Sequence, residues 1–302
     1  MFNNFLTKLW YKSFNKGKYQ EIKNKIRTTD NIKFYKTHIY NKILEIQKNI
    51  ENKKKLSFLH SGRSGDLIYS LATIKEISKT HECTLYVQIN KLTFDQYELT
   101  RKVFIDEKMG NLILPLLQNQ TFLKSVKIYN DEKIDINLDL FREIPINLSF
   151  YTSRWFSHLA GININIENSF LSAKPHETIK NKIIVGRSPR YRNAYLNYKF
   201  LQNRKNLLCI GLKEEFYDLK KDIPNLEYHD CKDFLEMAQI LKASNFFIGN
   251  MCLQYIMSEG LKIPRLLEAS TDFPVAFPAG PMAFDAYHQI HFEKYFELLD
   301  KS

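Results

Sequence analysis

Short apolar runs that stop at a glycine recur through most of this sequence, and they limit what it can fold into. LSFLH (56–60) ends at SGRSGD (61–66), KIIVG (182–186) ends at RSPRYRN, and FFIGN (246–250) leads into a helical stripe at Leu253, Ile256, Met257 and Gly260. Runs this short, apolar at successive positions, suit strands buried on both faces, as in a parallel sheet. Parallel neighbours need a crossover, usually a helix, between them. The spacing supplies it: Leu67, Ile68, Leu71 and Ile74 mark one helix face before TLYVQI (84–89), and Phe234, Leu235, Ala238 and Leu241 mark another before residue 246. SVKIY (125–129), IDINLDL (134–140), NLLCIG (206–211), NLEYH (225–229) and IPRLLEA (263–269) are further strands; residues 147–160, 213–221 and 284–299 are helices. LILPLL (112–117) holds Pro115 and reads as a turn or a helix start.

Two such series are separated by the polar stretch 163–181, which reads as a linker. The fold class is therefore α/β: two Rossmann-like domains facing across a cleft, over 56–165 and 180–283, with a basic helical extension at 1–55 and a C-terminal helix at 284–302. A ligand belongs at the C-terminal ends of the strands, between the domains.

Charge separates the extension from the body. The chain carries a net +11, but residues 1–55 hold 14 Lys/Arg against four acids, and the remainder is nearly neutral. A nucleic-acid-binding body would show a basic face, so nucleic acid is not an expected partner. In the extension Phe2, Phe5, Leu6 and Leu9 recur at helical spacing beside Trp10, and Ile39, Ile43, Ile46 and Ile50 form a second stripe. Such a segment packs on the body or on another subunit, or lies on an anionic membrane surface. No uncharged apolar stretch of about 18 residues exists, and the start lacks the h-region of a signal peptide. The four cysteines (Cys83, Cys209, Cys231, Cys252) form no CxxC pair, which suits a reducing compartment and argues against zinc and disulfides. The expected location is cytoplasmic, with peripheral contact at the inner membrane face through residues 1–55.

Four places carry candidate chemistry. In Ser61-Gly62-Arg63-Ser64-Gly65-Asp66 the glycines permit close approach of a ligand, and Asp66 either caps the following helix or takes a proton from a hydroxyl nucleophile. Arg187, Ser188, Arg190, Tyr191, Arg192 and Asn193 follow a strand directly; three guanidinium forks there suit a diphosphate, the alternative being a solvated basic loop. Gly249 and Asn250 open a helix whose N–H groups suit phosphate or sugar oxygens, though Asn250 is equally a cap. Glu268 ends a strand where a carboxylate can hold ribose hydroxyls or simply sit on the surface. Gly211 ends another strand on the same side. There is no DxD, HExxH or GxSxG, so no metal and no cofactor is expected.

FLHSGRSGDLIYSLATIKEI resembles the opening strand, GD turn and helix, and FIGNMCLQYIMSEGLKIPRLLEAS the late donor-site strand, turn, helix and following strand, of GT-B glycosyltransferases, specifically the heptosyltransferase-like family nine that builds lipopolysaccharide cores. The likeness covers about residues 56–270. It implies an inverting, metal-independent transfer from a nucleotide-diphosphate sugar, often ADP-heptose, to a glycan or lipid-linked acceptor. The first domain would take the acceptor and the second the donor. The family's catalytic aspartate falls on Asp66, its phosphate loop on 187–193 and its late glycine turn on Gly249 and Asn250. This chain departs where the family commonly has a threonine pair with a lysine in the phosphate loop, and aspartate followed by His-Leu-Ala in the late turn. A non-catalytic nucleotide-sugar-binding or assembly protein of the same fold is the alternative.

Overall fold

The computed structural model describes residues 5–93, 102–144 and 152–301. The extension forms α1 (Phe5–Phe14), α2 (Lys16–Phe34) and, after a π-helical turn, α3 (Tyr40–Asn52). The two stripes of the extension fare differently. Ile39 and Ile46 are buried, and Ile43 and Ile50 pack against the core beside them. By contrast α2 buries no residue, and Leu9, Trp10 and Phe14 are exposed; the side chains of Phe2, Phe5 and Leu6 lie outside the described set.

The first domain runs β1 (Lys55–His60), α4 (Ser64–Ile77), β2 (Glu82–Val87), α5 (Glu107–Gln118), β3 (Leu123–Ile128), β4 (Ile136–Asn137) and α6 (Ser153–Ala160), with a 3-10 turn Leu138–Arg142 after β4. All strand pairs are parallel, in the order β3-β2-β1-β4. The apolar run with Pro115 belongs to a full helix, α5, not to a turn. A proline in a helix costs about 3 kcal/mol. Burying Ile113, Leu116 and Leu117 completely contributes roughly 1.5–3 kcal/mol for each, which outweighs it.

The second domain runs β5 (Ile183–Gly186), β6 (Leu207–Cys209), α7 (Lys213–Leu219), β7 (Glu227–Tyr228), α8 (Phe234–Ala243), β8 (Phe246–Gly249), α9 (Leu253–Leu261), β9 (Arg265–Glu268), β10 (Ala283–Ala286) and α10 (Gln289–Asp300). Its strands are parallel, in the order β10-β9-β8-β5-β6-β7, the arrangement of a doubly wound dinucleotide fold. The C-terminal segment is thus a strand and a helix, where periodicity gave one helix from 284. Successive residues of the central strands face opposite cores: Ile183, Val185, Phe246 and Ile248 lie on one side with Phe292 and Phe296, while Ile184 and Phe247 lie on the other.

The core under Ile184 and Phe247 is continuous with that of the first domain. Helix α4 packs on α9 and α5 on α8. The stretch 163–181 has no helix or strand, yet Phe170 and Leu171 are buried, both donating N–H to the Gly260 carbonyl at 2.9 and 3.0 Å. Among the described residues no helix is long and apolar enough to cross a membrane.

Candidate active site

In an open α/β sheet the ligand crevice lies where strand order reverses, at the C-terminal ends of the two strands that flank the reversal. In the first sheet those strands are β1 and β4; in the second, β5 and β8. The glycine turns picked out in the sequence follow β1, β5 and β8.

After β1 the chain turns sharply at Gly62, with φ +96°; a Cβ there would lie 2.4 Å from Ile105. Ser61 is buried, and Arg63, Ser64 and Gly65 are half-buried. The N-cap of α4 is Arg63, which makes no side-chain capping bond, so Asp66 stands inside the first helical turn and is not the cap. Its Oδ2 accepts from Arg142 Nη2 at 3.3 Å. Arg142 comes from the turn after β4. Its guanidinium lies 4.5 Å from the Phe104 ring and 4.4 Å from that of Phe141, and it is paired with buried Asp139. Asp139 also accepts from Lys91 Nζ at 2.8 Å and the Ser61 N–H at 3.2 Å. Burial alone would raise the Asp139 carboxyl; His60 when protonated, and Arg142 and Lys91 at any pH, hold it below the usual carboxylate range. Asp139, Arg142 and Lys91 were not singled out by the sequence. Asp139 and Arg142 are three positions apart, but Lys91 and Ser61 lie 48 and 78 positions from Asp139, so no motif spacing joins the whole set.

His60 ends β1 and is fully buried, its Nδ1 accepting the Gly62 N–H at 2.8 Å, so the ring proton sits on Nε2. Burial pushes its pKa down to about 3, with Asp139 opposing and Arg142 and Lys91 assisting. An unfolded histidine titrates near about 6.5. Between about pH 6.5 and 3 the unfolded chain therefore binds the extra proton, and stability falls as pH falls. Asp139 adds a loss of the same sign below about pH 4. Urea unfolding from about pH 7 to 5 should show a falling midpoint, and His60→Asn, which keeps an acceptor for Gly62, should flatten that slope. An unchanged slope in the variant assigns the effect to other groups.

The second crevice is built by the loop 187–193, clamped from β8 and β9. Gly249 must be glycine: a Cβ would lie 1.9 Å from the Gly186 carbonyl. Asn250 is fully buried. Its Nδ2 donates to the carbonyls of Ser188 at 3.0 Å and Arg190 at 2.7 Å, and its Oδ1 accepts the Ser188 N–H at 2.9 Å. Glu268 has no exposed surface. It accepts from Arg187 Nε and Nη2 (2.8 and 2.9 Å), Tyr198 Oη (2.9 Å) and the Asn193 N–H (2.7 Å). It anchors the loop and presents no oxygen to solvent for a ribose, and Arg187 is held inward with it. Arg192 pairs with Asp218 at 2.7 Å, and Arg190 is exposed beside the Tyr191 ring. Tyr191 takes a positive φ of 60° and stacks on Phe273 at 5.4 Å. Gly211, just beyond β6, sits between Glu215 and Gln254; a Cβ there would lie 2.5 Å from the Glu215 carboxylate. Burial raises the Glu215 carboxyl, against the Leu212 N–H and Arg192.

The two crevices meet through helix packing: Gly65 lies against Ile256 of α9, where a Cβ would come within 2.5 Å of Cδ1. The structure thus brings the Asp66 turn beside the helix that follows Gly249 and Asn250, whose N-cap is Cys252. Two cavities of about 230 and 200 Å³ lie elsewhere, beside Gly110 and beside Lys75, and touch none of these residues.

A glycosyl transferase family 9 protein from Veillonella parvula superposes on 82% of this chain and 98% of its own, with a TM-score of 0.55 at 11% identity. The fold is GT-B. E. coli ADP-heptose LPS heptosyltransferase II matches over 82% of this chain and 99% of its own, with a TM-score of 0.46 at 10% identity. The iron-containing dodecameric heptosyltransferase TibC, solved with ADP-D-beta-D-heptose, matches over 78% of this chain and 63% of its own, with a TM-score of 0.48 at 11% identity. No protein-family model and no curated protein matches the sequence. The expectation of no metal is corrected by one of these neighbours: the heptosyltransferase TibC is iron-containing.

Proposed function

We propose that the chain is a glycosyltransferase that moves a sugar from a nucleotide-diphosphate donor to a hydroxyl of a glycan or lipid-linked acceptor, with inversion. The reading rests on one juxtaposition. A carboxylate stands at one switch point, an arginine-bearing loop and a helix N-terminus stand at the other, and α4 packed on α9 joins them. Asp66 takes the acceptor proton; with Oδ2 engaged by Arg142, the proton goes to Oδ1. The acceptor oxygen attacks the anomeric carbon as its bond to the diphosphate breaks. Arg190, Arg192 and the first N–H groups of α9 stabilise the charge on the leaving diphosphate. Arg187, Ser188, Tyr191, Asn193, Asn250 and Glu268 keep the loop in place, and Ser61 to Gly65 shape the acceptor side. Heptose is one candidate sugar.

Thermal shifts with ADP, GDP, UDP, CDP and their sugars test the donor half. A ligand at about 100 times its Kd adds about 2.7 kcal/mol, and one base series is expected to stand out. If no nucleotide shifts the transition, the reading fails. A shift with no turnover on any acceptor favours instead a nucleotide-sugar-binding protein without catalysis, a reading kept by Asn250, whose amide is wholly engaged in the loop.

The acceptor side is proposed to work at a membrane surface. The exposed Leu9, Trp10 and Phe14 stand in an extension that carries most of the chain's net positive charge. Co-sedimentation with vesicles containing anionic lipid should be strong at low salt and lost when residues 1–34 are removed. Equal binding by the truncated chain excludes this role.

A further inference from the structure

At the C-terminal end of β7, the outer strand of the second sheet, three different donor side chains converge outside the crevice just described. His229 follows the strand, Cys231 lies two residues on, and Glu236 stands in the first turn of α8. A single tight turn brings them together. Asp233 caps α8 by accepting the Glu236 N–H at 2.8 Å, and Glu236 Oε2 accepts the Lys232 N–H at 2.6 Å. Glu236 Oε1 is thereby aimed back at His229 Nε2, 3.0 Å away. The nitrogen, a sulfur of Cys231 and a carboxylate oxygen all lie within 4.8 Å of one another, and all three residues are half-buried.

We propose that His229, Cys231 and Glu236 bind a borderline transition-metal cation of the zinc class, with the fourth position open to water. Imidazole, thiolate and carboxylate together match that class, while hard cations such as Mg²⁺ prefer oxygen alone. Bonds of about 2.0–2.3 Å in a tetrahedron hold ligand atoms roughly 3.3–3.8 Å apart. The set needs only small side-chain shifts to reach this, with His229 and Glu236 moving slightly apart. Cys231 binds as thiolate, its proton passing to solvent. His176, from the linker, accepts the Ile179 N–H on Nδ1 at 3.0 Å, so its Nε2 carries the proton and faces Glu236 Oε1 at 3.7 Å. That is beyond hydrogen-bonding distance, and His176 is not one of the three ligands. The absence of a CxxC pair argued against zinc, but this cluster needs no such pair, because turn and helix cap provide the convergence. Neighbouring Tyr228 donates to the Gly211 carbonyl at 3.2 Å, so a bound ion would also brace the strand ends beside the crevice.

Titration of the full chain with Co²⁺ alone tests this, whatever the outcome for sugar transfer. A saturable one-to-one signal is expected, with the ligand-field bands of a tetrahedral ion and a sulfur-to-metal charge-transfer band, both displaced by Zn²⁺. Cys231→Ser should remove the charge-transfer band. His229→Gln and Glu236→Gln should each weaken binding at least about tenfold. Zn²⁺ should also slow alkylation of Cys231 in the unsubstituted chain, a readout that does not depend on a variant folding. No saturable binding, a charge-transfer band that persists in Cys231→Ser, or no protection of Cys231 overturns the proposal.

Discussion

Asp66→Asn should fold as the parent does and bind donor nucleotide equally well, while kcat for sugar transfer falls by about 10²–10⁴, the contribution of a positioned general base. Asparagine fills the same space, and its carbonyl can still accept from Arg142 Nη2, the contact made at 3.3 Å. What it cannot do is receive the acceptor's proton. Arg142 makes the test sharp. Its guanidinium is fixed by buried Asp139 and by two aromatic rings, so the oxygen of residue 66 opposite it is set by the structure, not by the substituted side chain. The measurement is steady-state turnover with a saturating donor identified by thermal shift, alongside the donor Kd. Full turnover in the variant would remove Asp66 from the chemistry. Lost donor binding would mean that the turn was disturbed, and the conservative variant Asp66→Glu would then be read for partial recovery.

The strands and the three glycine turns were legible because a parallel sheet covered on both faces demands apolar residues at successive positions, and Gly62 and Gly249 sit where a side chain does not fit. Two elements escaped for opposite reasons. In α5 a proline contradicted a stripe whose burial outweighs it. In β10 the run Ala283–Ala286 has neither β-branched residues nor alternation and is a strand because β9 offers it an edge. At the site, residue type announced chemistry but not orientation. Arg187 and Glu268 looked like two ligand contacts; 81 positions apart, they face each other instead. Asp139 read as part of a strand, yet it draws Ser61, Lys91 and Arg142 together beside the turn that carries Asp66. The fate of a charged group depends on which long-range partner reaches it first, and no local period encodes that.

Asn250→Asp should be the most damaging single-atom change in the second crevice. The family this chain resembles usually carries aspartate there, so the substitution looks like a restoration, yet the loop is built for an amide. Nδ2 gives one hydrogen to Ser188 O and the other to Arg190 O, and Oδ1 takes the Ser188 N–H, all at a fully buried position. A carboxylate keeps the last of these bonds and turns both donors into an acceptor facing two carbonyls. Each carbonyl left unmatched costs about 1–3 kcal/mol, so a loss of roughly 2–6 kcal/mol is expected in urea unfolding near neutral pH, together with loss of nucleotide binding as the 187–193 loop is released. The pH dependence identifies the cause. Burial against carbonyls favours the neutral acid, so the folded variant holds its proton to higher pH than the unfolded chain. Its deficit relative to the parent should therefore shrink as pH falls toward about 4 and grow as pH rises. The comparison is made between the two proteins at each pH, because His60 destabilises both alike on acidification. A variant as stable as the parent at neutral pH, with nucleotide binding intact, would show that the amide does not clamp the loop. The departure from aspartate would then need a reason other than the pairing of Asn250 with this particular Arg-Ser-Pro-Arg turn.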